Sequence, residues 1–302
     1  MAVITTGAHP KHLWPGVHAF FGIAYQDHGE EYRDLVTVKD SSKNFEEMVL
    51  NSGFGLAPVK AQGGSVSFDE DLQGYTARAT HITYGLGYIV TREEIDDNQY
   101  ESVSMDRALS LKISMVETKE NVVANVFNRG FNSSFTGGDG KELFATDHPT
   151  RAGDQSNELA TAADFSEASC EDLIIQIMGA QNHRGLKIKL MAQSLHVPRQ
   201  LWFEANRVLQ SVLQSNSAEN NINVLKATNA LPKGIKVNHY FTDSDAWFIR
   251  TNAPKGLCLF QRRAMEFTKD NEFSTENAMA KATERYSLVW GDWREWYGTP
   301  GA

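Results

Sequence analysis

From Gln99 to Phe131 the chain runs without proline and with a single glycine, Gly130. At 1.5 Å per residue, some thirty helical residues make a rod of roughly 50 Å, well above the usual helix length. Met105, Leu109, Val116, Val123 and Phe127 recur as one apolar stripe, which Ala108, Leu111, Met115, Val122 and Val126 widen. Lys112, Glu117, Lys119 and Glu120 fall off the stripe, toward solvent or a neighbour. Upstream, Gly85–Val90 reads as extended, and Thr91–Asp97 reads as an acidic turn into the helix. So long an element is mechanical. It points to a protein whose work is to be a shaped subunit.

The remaining chain is organised around that rod. Residues 1–32 read as an arm, with Pro10, Pro15, Gly16 and Gly22 among the aromatics Trp14, Phe20, Phe21 and Tyr25 and no clean period. Exposed aromatics on an irregular segment call for a covering surface, either the chain's own domain or another copy. Residues 33–85 are extended, polar and rich in glycine. Leu35–Val38 and Ser65–Phe68 alternate as half-exposed strands do, and Tyr75–Thr80 and His81–Tyr84 follow as further strands. A ribbon so poor in apolar residues needs outside support.

After the helix, Asn132–Lys141 is a loop by composition. From Asp164 helices and strands alternate. A helix capped by Ser166 or Ser169 runs to about Gln181, and a strand covers Leu190–Val197. Pro198 opens a helix with Leu201, Ala205, Val208, Leu209 and Val212 on one face. Ile235–Tyr240, Ala246–Thr251, Leu257–Phe260 and Arg285–Trp290 read as strands.

Composition narrows the function. The 302 residues carry 38 acidic and 29 basic side chains, for a net charge of −9. Tight duplex binding neutralises phosphates with lysine and arginine. This chain offers only Arg262-Arg263 and Lys187-Ile188-Lys189, which read as solvated faces. No apolar run approaches a membrane span, and the N-terminus lacks the basic start and apolar core of a signal peptide. Cys170 and Cys258 stand far apart and read as buried thiols of a reducing cytoplasm.

Catalytic signatures fail one by one. Gly85-Leu-Gly87 lacks the rest of a dinucleotide loop, Gly137–Lys141 is not a phosphate loop, and no serine elbow exists. His9, His12 and His18 have no nearby carboxylate and are not read as metal ligands. Asp147-His148-Pro149 reads as a loop histidine beside a turn-forming proline. The paired acids Glu30-Glu31, Glu46-Glu47, Glu93-Glu94 and Asp96-Asp97 read as solvated surface, and Trp290, Trp293, Trp296 and Tyr297 as a core closure. No enzyme, cofactor or metal is expected.

The order of elements resembles the major capsid proteins of tailed bacteriophages, whose shell-forming fold was first seen in a Hong Kong phage. The local wording is most similar to the Mu-like prophage head-subunit group. The residues that carry the likeness are Thr91–Asn98, Thr118-Lys119-Glu120 with Ala124–Asn128, Asp139–Phe144, Asp147-His148-Pro149, Val197-Pro198, Thr242–Phe248 and Arg285-Tyr286-Ser287.

The resemblance implies an α+β phage capsid fold: an N-terminal arm (1–32), an extended β-ribbon loop (33–85), and a peripheral domain (86–165) with a spine helix over 99–131. An α/β axial domain (166–274) and C-terminal strands (275–302) returning to the peripheral domain complete it. It implies self-assembly, as pentamers and hexamers, into an icosahedral virion shell around double-stranded DNA, contacted weakly. Assembly would take place in the host cytoplasm, with a separate scaffolding protein and a portal.

Inter-subunit contacts are expected at Trp14, Phe20, Phe21, Arg33, Glu46, Glu47, Phe54, Lys60, Asp69, Glu70, Arg92, Glu93 and Glu94. Some relatives join subunits by a lysine–asparagine bond. Lys60 lies in the ribbon, but no partner or activating acid is evident and no crosslink is expected. Two other readings stand beside this one: an encapsulin-type compartment, and a soluble α/β enzyme.

Overall fold

The computed structural model describes residues 29–97, 102–213 and 221–302. Two four-stranded sheets, a two-stranded ribbon and one long helix make up the architecture. In the first sheet, strand β8 (Leu257–Asn271) turns back into β9 (Ala278–Trp290), and β4 (Ile82–Val90) runs antiparallel along β9 from Ile82 opposite Tyr286 to Val90 opposite Ala278. The short β1 (Thr37–Asp40) adds in parallel to β8. In the second sheet β5 (Ala192–Pro198) lies between β6 (Ile235–Asn238) and β7 (Trp247–Thr251), and β10 (Trp296–Thr299) closes the edge beside β7.

The C-terminal segment therefore divides between the two sheets. Residues 278–290 pair in the first and 296–299 in the second. The strands read at Leu257–Phe260 and Arg285–Trp290 are both much longer than their apolar cores. Beyond Phe260 the polar residues of β8 are held by the β9 backbone rather than by burial.

Helix α3 spans Ser102–Asn128 and stops short of Phe131. Gly130, two residues past its end, is required by packing: a Cβ there would lie 2.6 Å from the Phe144 ring. Leu111, Met115, Val123, Ala124 and Phe127 are buried along its core side, whereas Leu109 is exposed. Lys119 and Glu120, expected on an outer face, lie inside this stripe. Lys119 forms an ion pair with Glu284 between the rings of Tyr32 and Tyr286, so its charge is matched where it is buried. Phe127 touches the rings of Phe144, Phe241, Phe248 and Trp296, joining the helix to the second sheet.

Helix α4 (Glu167–Met178) starts at Ser166, whose hydroxyl and that of Ser169 form a reciprocal capping box, and ends three residues earlier than read. A 3₁₀ turn at 199–201 precedes α5 (Trp202–Gln210), which buries Ala205, Val208 and Leu209, while Val212 is exposed. Together with Leu173, Ile177, Leu195, Trp247, Ile249, Trp293 and Tyr297 they form the core under the second sheet. The tryptophan cluster closes cores as read, and both cysteines are buried free thiols.

The N-terminal part departs most from its reading. Residues 32–35 form a helical turn, α1 (Tyr32–Leu35), rather than part of a strand. The ribbon is β2 (Phe45–Asn51) against β3 (Gln73–Thr80). Ser65–Phe68 is not a strand, and all four side chains are exposed. Their alternation describes a surface that no other described part of this chain covers.

Candidate subunit interface

The ribbon is supported at its base by its own subunit. Ala77 and Ala79 of β3 pack with Met48 of β2 against Cys258, Phe260 and Val289. The Tyr75 hydroxyl donates to the Gly291 carbonyl at 3.0 Å. Beyond Asn51 and before Gln73 the chain narrows to a neck. Ser52 N donates to Leu72 O, Leu72 N to Ser52 Oγ, and Gly53 N to Asp71 Oδ1 at 2.7 Å. Gly53 holds a φ of +68°, a turn a side chain would strain. Gly55 N donates to Asp69 Oδ2 at 2.7 Å.

Past this neck lies the tip. Phe54 is 63% exposed, Leu56 82%, Val59 100%, Val66 62% and Phe68 96%. At about 25 cal/mol per Å² of apolar surface, a cluster of five uncovered large side chains carries a substantial driving force for association. Lys60 and Glu70 are exposed on the same loop.

The other expected contact residues lie apart from this loop. Arg33 is exposed and paired with Glu30. Glu46 accepts from Ser41 Oγ at 2.7 Å, and Glu47 lies on the ribbon's outer face 3.8 Å from Arg78. In α2 (Arg92–Asp97), Arg92 pairs with Asp96 at 2.9 Å and Glu93 faces outward. Glu94 is turned inward and pairs with Arg107 at 2.6 Å. Trp14, Phe20 and Phe21 lie outside the described residues. Arg262 and Arg263 are exposed on β8.

Sequence reasoning missed the residue that ties the neck to the body. Arg184 donates from Nη1 to Asp69 Oδ2 at 2.6 Å and from Nη2 to Oδ1 at 3.1 Å, and again from Nη1 to the Gly53 carbonyl at 2.9 Å. The Arg184 guanidinium, with the Gly55 amide, holds the Asp69 carboxyl well below the usual carboxylate range. No local pattern marks a partner 115 positions away.

The loop histidine beside Pro149 proves to be buried. His148 is fully buried, and its acid partner is Asp139 rather than the adjacent Asp147, which pairs with Lys141 at the surface. Both ring nitrogens of His148 are engaged, by Asp139 and by Asn157. Among the described residues no group of three or more His, Cys, Asp or Glu is placed to hold a metal, and no helix is long and apolar enough to cross a membrane.

The subunit thus presents an exposed apolar tip, a long helix and two sheets that share one C-terminal tail. Residues 74–298 match the model of the phage capsid protein family, and the chain belongs to that family as a major capsid protein. No curated protein matches in sequence. Solved structures share the fold at low identity. A chain of Mycobacterium phage Patience superposes with a TM-score of 0.61 at 10% identity, covering 99% of this chain and 92% of that one. The capsid of Cyanophage P-SCSP1u gives 0.60 at 8% identity over 96% and 92%. The capsid of a native GTA particle gives 0.59 at 9% over 96% and 94%.

Proposed function

We propose that copies of this chain assemble, as pentamers and hexamers, into an icosahedral shell that encloses double-stranded phage DNA. The role is structural and without catalysis. One observation carries this reading: Phe54, Leu56, Val59, Val66 and Phe68 stand uncovered on one loop that projects past the ribbon neck. Its natural cover is a second copy of the same chain, reached by the loop extending over a neighbour.

Residues 33–85 would then serve as the overlapping loop, 86–165 as the peripheral domain around α3, and 166–274 as the axial domain around the symmetry axes. The arm at 1–32 would cross neighbouring subunits, and residues 275–302 would return to the peripheral domain. Many partly polar contacts of this kind assemble reversibly, which lets misplaced subunits leave. A subunit of charge −9 repels packaged DNA mildly, so contact with the genome is weak. A separate scaffolding protein and a portal complete the assembly in the host cytoplasm. Membership of the Mu-like group is part of the same proposal, supported by the ordered local wording.

The test replaces residues 56–67 with a short Gly-Ser turn in the full-length chain and examines the concentrated protein by negative-stain electron microscopy. A soluble, folded subunit that no longer closes shells is expected. Normal particles from that variant would refute the role of the tip.

A further inference from the structure

One guanidinium grips both rails of the ribbon neck. Arg184 takes the Gly53 carbonyl on the outgoing rail and both carboxylate oxygens of Asp69 on the returning rail. Paired, charge-assisted bonds of this fork geometry fix direction as well as distance. Arg184 is itself rigidly mounted. Its amide and that of Leu186 both donate to Asn182 Oδ1 at 2.9 Å, Asn182 N donates to Leu186 O, and Gly185 turns the chain at a φ of +81°. Gln155 Nε2 donates to Asn182 O, and Arg294 Nε to Gln181 O at 2.8 Å, tying the turn to the core of the second sheet.

The ribbon alone is a weak lever. It has two strands, with a register shift between Val49 and Asn51 just before the neck. Such a pair bends easily, because twist and bend concentrate at irregular pairings. The tip's direction relative to the body therefore rests on Arg184, whose side chain is 14% exposed while that of Asp69 is 43% exposed.

We propose that Arg184 is a positioning residue for assembly: its clasp on Gly53 and Asp69 sets the direction in which the apolar tip leaves the subunit. That direction fixes the angle at which a second copy is captured, and so the curvature of the closed shell. The inference rests on the tip being the contact onto a neighbour. Because the clasp is half open to solvent, it weakens as salt screens it.

The experiment assembles four full-length variants beside wild type: Arg184→Ala, Asp69→Asn, the charge-swapped double R184D/D69R, and the 56–67 replacement. Limited proteolysis within 54–68 reports the mobility of the neck, and electron microscopy reports particle diameter. Arg184→Ala and Asp69→Asn are expected to be cut several-fold faster in the tip, with the subunit's thermal midpoint little changed, and to give broadened diameters or open sheets. The double swap should narrow the distribution again.

If the 56–67 replacement abolishes shells while Arg184→Ala and Asp69→Asn keep wild-type cleavage and diameters, the clasp has no such role and the tip reading survives. If the 56–67 replacement forms normal shells, the tip reading fails and takes the inference with it. Should Arg184→Ala not fold, Asp69→Asn decides alone, since it removes one charge of the pair and leaves the buried arginine stem in place.

Discussion

His148 Nδ1 lies 2.6 Å from Asp139 Oδ2 inside the protein, with the imidazole stacked on Trp293 at 4.2 Å and 7° between planes. On the ring's other side, Nε2 lies 3.1 Å from Asn157 Oδ1. The Asn157 amide nitrogen donates to the Leu143 and Trp296 carbonyls, and its Oδ1 accepts from Ala145 N. That oxygen must therefore face the ring, and His148 Nε2 donates to it. Arg294 covers Trp293 at 4.1 Å, completing a stack that pins the 139–157 loop to the C-terminal tail.

Removing the acid leaves this ring buried without its partner. Asp139→Ala should destabilise the isolated subunit by about 1–3 kcal/mol, the cost of leaving a buried polar atom without its hydrogen bond. Asp147→Ala, at an exposed pair with Lys141, should leave the unfolding midpoint nearly unchanged. Urea unfolding followed by tryptophan fluorescence separates them, and equal losses would contradict the assignment of Asp139 as the partner.

Glu120 links stability to pH at the base of the arm. It is buried on α3, accepts the Glu31 and Tyr32 backbone amides, and has one oxygen, Oε2, without a partner among the described residues. Burial first, and the nearby Glu31 carboxylate next, push its carboxyl up to about 7. A raised acid binds its proton more tightly folded than unfolded, so its contribution is complete below about 4.5 and lost as pH rises through about 7. The thermal midpoint of wild type should fall across that window, and Glu120→Gln should flatten the decline. An unchanged pH profile in the variant would remove Glu120 as the cause.

Phe127 joins the spine helix to the second sheet. Phe127→Ala removes a fully buried ring from among Phe144, Phe241, Phe248 and Trp296. A loss of about 3–5 kcal/mol is expected from denaturant titration. Leu109→Ala, on the exposed side of the same helix, should change stability by less than about 1 kcal/mol.

Gly256 is required by a close approach. A Cβ there would stand 2.0 Å from Glu295 Oε2, the carboxylate that accepts Leu257 N and pairs with Arg250 at 2.7 Å. Gly256→Ala should cost about 1–3 kcal/mol by displacing that carboxylate. Crystallography or a shifted tryptophan spectrum would show the displaced Glu295–Arg250 pair beneath Trp296.

Much of the fold was legible because its signals are local. The spine helix was read from periodicity and from the lack of proline and glycine, and the cap at Ser166 or Ser169 from residue type and place, with the structure choosing Ser166. The burial of Lys119 and Glu120 was not legible, since charged side chains enter a core only where distant partners receive them, here Glu284 and the backbone of residues 31–32. The strand expected at 65–68 has the right alternation but no covering surface among the described residues. The Asp139 partner of His148 was not legible either, because the two meet only when the 139–157 loop folds back on itself.

By itself the sequence determined the order of elements, the long helix, the polar ribbon and the absence of a recognisable catalytic pattern, because propensity and periodicity act over a few residues. Only the tertiary structure decided which partners meet across a hundred residues or more. It brought Arg184 to Asp69 and sent β10 to the second sheet while β9 stayed in the first. Such meetings depend on how sheets and helix close around shared cores, and chain-local chemistry carries no record of that closure.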